Sequence, residues 1–158
     1  MTAHIETTDH GLSAEGDGAA AHRTLLPFAL AITGSSIAIQ AVVLATGSHI
    51  TAWIALLTAL VGVGYAVYLL TAGRRLARVR YGLFTAHAIT YAAINTGFLL
   101  HANLLIASGS PAVAGEGRLP IDGGWFGATF AMASFWGLGL LCHGIGAVLS
   151  RGFERERA

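Results

Sequence analysis

Residues 51–71 read TAWIALLTALVGVGYAVYLLT, an unbroken stretch without Asp, Glu, Lys or Arg. A helix needs roughly 20 mainly apolar residues to cross a hydrocarbon core of about 30 Å, and this stretch supplies them. Three others share its character, near Leu25–Thr46, Leu83–Ala107 and Trp125–Leu149, and none carries a charged side chain. Membrane β-strands would alternate apolar and polar residues over about ten positions. These runs are continuous. The expected fold is therefore all-α: an integral membrane four-helix bundle of two antiparallel helix hairpins.

The whole chain agrees with its spans. Of 158 residues, 54% are hydrophobic and only 11% charged, where a soluble domain carries about 25% charged residues. An ordinary soluble enzyme and a disordered chain are thereby excluded. The net charge is +1, with nine Arg and no Lys, so no basic block stands ready for a nucleic-acid backbone. Cys142 is the sole cysteine, which excludes an internal disulfide and a Cys-based zinc cluster.

The connections divide the chain. Residues 1–22 are acidic, lack apolar periodicity and read as a disordered cytoplasmic tail. They have no basic n-region, so they do not read as a secretory signal. Thr24 can cap the first helix, with Pro27 in its first turn. Residues 23–72 form a first hairpin closed by Gly47–Ile50, and residues 73–150 a second, whose loop runs from Ser108 to Gly124. Residues 151–158 are a short charged tail. Arg23, Arg74, Arg75, Arg78, Arg80, Arg151, Arg155 and Arg157 fall on one side of the membrane and Arg118 on the other. Arginine excess marks the cytoplasmic side. A multi-pass protein of the plasma membrane with both termini inside is expected. Trp53 and Trp125 would then begin their helices at the outer interface.

Polar side chains in lipid face the bundle interior and mark where to look. Ser36 and Gln40 in the first span suggest close helix packing, with Gln40 bonded across the bundle. His87, Tyr91 and Asn95 follow at i, i+4, i+8 on one stripe of the third span. In the fourth, Trp125, Met132, Trp136 and His143 share a side by the same arithmetic. Gly137, Gly139, Gly144 and Gly146 strip bulk from that helix. His87 and His143 each lie roughly 9 Å inside the cytoplasmic end. The expected inner site is His87, Tyr91, Asn95, Trp136 and His143. His101, about 21 Å further along, forms a secondary outer site with Met132.

The pair His87–His143 suits several chemistries. It can be an interhelical polar clamp, a bis-His ligand set for haem b, one end of a metal site, or a proton sensor. No nucleophile–base pair or paired carboxylate is readable within the spans, so a non-enzymatic protein is expected. An oligomeric transporter is a further alternative, although no charged residue marks a path.

The segments RYGLFTAHAITYAAIN (80–95), Asn103, WF (125–126) and FWGLGLLCH (135–143) resemble the 2TM domain family over about residues 75–150. Similar members pair an early His, Tyr and Asn with a late Trp-Gly-x-Gly-x-x-x-His. Some are membrane portions of signalling proteins. The resemblance implies a sensory or partner-binding module whose partner is another membrane protein or a second copy.

Overall fold

The computed structural model describes residues 6–149 apart from 80 and 118, with backbone alone for residues 6–22. Arg80, Arg118 and residues 150–158, on which part of the arginine count rests, lie outside the described residues. The described chain is helical: α1 Glu6–Ala45, α2 Ala52–Leu76, α3 Gly82–Ala107, α4 Gly123–Phe126 and α5 Met132–Leu149. A 3-10 turn, Pro111–Val113, and a π-helical turn, Gly127–Ala131, complete it. Four segments are long and apolar enough to span a bilayer: Arg23–Ala45, Ala52–Leu76, Gly82–Ala107 and Gly123–Leu149. Phe135 is 81% and Leu70 83% exposed, an arrangement that suits lipid rather than water. The chain is a multi-pass membrane protein.

α1 packs along both α2 and α3, and α3 in turn carries α5. The third span is thus flanked by the first and the fourth. The core between them holds Ile39, Val43, Ile54, Ile94 and Phe98, all buried. Gly97 sets the separation of α1 and α3. A Cβ there would lie 2.6 Å from Ser36 Oγ and 3.4 Å from Gln40. The same closeness lets the Ser36 hydroxyl donate to the Ala93 carbonyl at 2.7 Å, satisfying a polar group away from water.

The ends have local causes. Gly47, at φ +91°, takes the left-handed conformation that closes α1. The Ser48 N–H then reaches back to the Val43 carbonyl at 2.8 Å, and Gly47 N–H to that of Leu44 at 3.3 Å, a Schellman closure. Thr51 caps α2 by accepting from the Ile54 N–H. Asp122 caps α4, its Oδ1 accepting from the N–H groups of Gly124 at 3.0 Å and Trp125 at 3.2 Å. Gly82 lies so close beneath the Leu76 carbonyl that a Cβ would collide with it.

Several expectations need correction. Helix α1 begins at Glu6, within the stretch read as a disordered tail, and Pro27 lies inside it rather than in a first turn. Ala19, Ala20 and Ala21 are strong helix formers, and extending an existing helix is far easier than nucleating one. Helix α2 continues past Thr71 to Leu76, placing Arg74 and Arg75 on its last turn, where cations offset the helix dipole. The 108–124 loop has local structure of its own. It holds the 3-10 turn and an antiparallel bridge between Ala114 and Ile121. Trp53 is exposed, whereas Trp125 is fully buried, its indole N–H supplied with an acceptor inside the protein.

Candidate functional site at the inner histidines

His87 of α3 and His143 of α5 stand ring on ring, with centroids 4.0 Å apart and planes inclined by 27°. Each Nδ1 lies on a carbonyl one turn back: Leu83 at 3.1 Å for His87 and Gly139 at 2.9 Å for His143. A carbonyl oxygen only accepts, so each Nδ1 carries a proton. In that tautomer of the neutral ring, Nε2 keeps its lone pair. His143 and its neighbour Cys142 are exposed on the outer flank of α5. His87 is half-buried, and Tyr65 of α2 meets its ring edge-on, 5.2 Å away at 89°.

One glycine of α5 eases this packing. A Cβ at Gly144 would come within 3.1 Å of the Phe84 ring, while one at Gly137 would make ordinary contact with the Tyr91 ring at 3.5 Å. Gly139 and Gly146 instead face open space. Tyr91 and Phe84 both border an apolar cleft of about 630 Å³ along α3 and α5.

The other expected inner residues lie elsewhere. Asn95 is buried, and its Nδ2 donates to the Tyr91 carbonyl of its own helix at 2.9 Å. Among the described residues its Oδ1 has no hydrogen-bond partner, nor does the Tyr65 hydroxyl, and both are buried. Trp136 borders a different cleft, with Met132, Ile54 and Phe98, and so does not close the histidine pair.

Stacking limits what the pair can hold. A metal between two trans imidazole nitrogens, each about 2 Å away, separates those nitrogens by roughly 4 Å before either ring is counted. Ring centroids at 4.0 Å leave no such gap. The residues present therefore do not fit a haem iron between His87 and His143. Among the described residues, no three His, Cys, Asp or Glu side chains converge as a metal site.

The outer histidine belongs to a network that the sequence does not reveal. His101 Nδ1–H donates to Gln40 Oε1 at 2.9 Å, and its Nε2 faces the Ser48 hydroxyl at 3.5 Å. Trp125 lies edge-on to the same ring at 5.2 Å and donates its indole N–H to the Ser48 carbonyl at 3.0 Å. The buried Gln40 Nε2 has no hydrogen-bond partner among the described residues. His101 thus meets Gln40, Ser48 and Trp125, while Met132 lies in the cleft with Trp136. This cluster ties α1, the α1–α2 turn, α3 and α4 together. Ser48 adopts φ +62°, a conformation few non-glycine residues hold, and the indole bond helps to hold it there.

The phase arithmetic misplaces Trp125 for one reason. The π-helical turn at 127–131 inserts an extra residue per turn between Trp125 and His143. Residues before it and after it cannot share one 3.6-residue wheel.

Comparison with known families matches the chain to the 2TM domain over residues 71–157. No curated protein and no solved structure matches the chain.

Proposed function

Because the chain belongs to the 2TM domain family, we propose that it is a non-enzymatic membrane module of the plasma membrane that senses a ligand or binds a partner. In this reading residues 23–72 and 73–150 are two antiparallel hairpins, and both termini are cytoplasmic. The flank of α5 bearing Cys142 and His143 meets another membrane protein or a second copy. The stacked pair, half-buried on one side and exposed on the other, carries the reading. Both rings are oriented by backbone carbonyls, so a partner that engages His143 changes the packing of His87 without breaking a hydrogen bond. The excess of arginine on one side supports the orientation.

Oxidative cross-linking through the single Cys142, performed in native membranes, tests it. The expected result is a covalent adduct, either a dimer of this chain or a mixed species, weakened by His143→Ala. Absence of any adduct, with the thiol still accessible to a maleimide, removes the partner-binding role from this flank.

A further inference from the structure

A second cleft, of about 970 Å³, runs between α1 and α2. Arg23 and Arg75 line it, and its walls include Phe28, Ile39, Leu57 and Gly64. Helical rise puts Ile39 roughly 24 Å from Arg23, about the depth of one leaflet with its headgroup layer. Both arginines are exposed. Among residues with described side chains, the only carboxylates, Glu116 and Asp122, lie at the opposite end. The cleft therefore presents two guanidinium groups, with no carboxylate of a described side chain at their end, above an apolar channel. Small residues keep it open: Ala31, Ser35 and Ala38 face it from α1.

We propose that this cleft is a binding site for an anionic phospholipid of the arginine-side leaflet. The phosphate sits between Arg23 and Arg75, whose planar guanidinium groups match phosphate oxygens two at a time. One acyl chain lies along the channel. A zwitterionic lipid fits the channel equally but offers no net charge to the arginine pair. Charge complementarity therefore selects the anionic headgroup, as it does in other basic pockets between membrane helices.

Native mass spectrometry of the purified full-length protein, titrated with phosphatidylglycerol or phosphatidylcholine, tests this. The wild type is expected to retain phosphatidylglycerol preferentially. Arg23→Gln combined with Arg75→Gln should lower phosphatidylglycerol retention by roughly 25-fold, about fivefold per arginine, and leave phosphatidylcholine unchanged. Gly64→Leu should reduce both lipids, because its side chain enters the channel where a Cβ meets nothing within 4 Å. Inorganic phosphate should not displace the lipid, and His143→Ala should leave retention intact. Wild-type phosphatidylglycerol retention in the double arginine variant would overturn the site. Full displacement by inorganic phosphate would overturn it as a lipid site.

Discussion

The Ser48 carbonyl accepts the Trp125 indole N–H at 3.0 Å, joining the turn after α1 to the first turn of the fourth span. Both groups are buried, so the bond has no water to replace it. Trp125→Phe keeps most of the apolar contact but orphans that carbonyl. It should cost about 1–3 kcal/mol. Trp125→Ala should cost about 3–5 kcal/mol through the cavity as well. Denaturation midpoints in detergent, followed by circular dichroism, measure both. An unchanged midpoint for Trp125→Phe would show that the indole N–H adds nothing.

Gly97 makes a sharper steric prediction. Gly97→Ala puts a methyl against Ser36 Oγ and should destabilise the bundle by about 1–3 kcal/mol. Ser36→Ala removes the colliding atom, so the double variant should recover much of that loss. Gly139→Ala is the control, because its Cβ meets nothing within 4 Å. Equal stability of the two single variants would mean that α1 and α3 do not approach closely at Gly97.

A double-mutant cycle isolates the inner histidines. His87→Ala and His143→Ala should show a coupling of about 0.5–1 kcal/mol, the scale of aromatic and intramembrane polar pairs. His101→Ala combined with His143→Ala should be additive, since the two sites share no partner. Coupling in the second cycle equal to that in the first would make the effect a general loss of bundle stability.

The orientation is checked by reporter fusions. Insertions after Ser48 and Glu116 should report the outside, and one after Arg78 the cytoplasm, following the arginine asymmetry. Cytoplasmic signals at both Ser48 and Glu116 would reverse the topology.

The four spans are legible because each is a continuous apolar run, and that signal needs no tertiary knowledge. Helical phase and distance from the helix ends put His87 and His143 at one level, and their rings lie stacked. His87 lies on α3, which is α-helical throughout, and His143 on α5 after the π-helical turn, so the 3.6-residue count holds for each within its own helix. Trp125 lies beyond that turn, and the count fails for it. The Gln40–His101–Ser48 cluster is hidden for another reason. It depends on α1 lying beside α3, and no local pattern states which helices are neighbours. Tyr65 reads as a residue of an apolar helix until α2 is placed against His87. Gly97 is a signal that could have been found: a small residue on a crowded span often marks where two backbones approach.

The π-helical turn at residues 127–131 also makes the fourth span a gear with one spare tooth. Deleting a single residue there would let the backbone relax to ordinary α-helix, and because the π-helical turn holds one residue more than the α-helical turn it replaces, the segments on either side would keep their facing. Trp125 would keep its anchor and His143 would stay on His87. One deletion would thus be absorbed at the turn itself, while the same deletion within Met132–Leu149 would rotate the residues beyond it by roughly 100°.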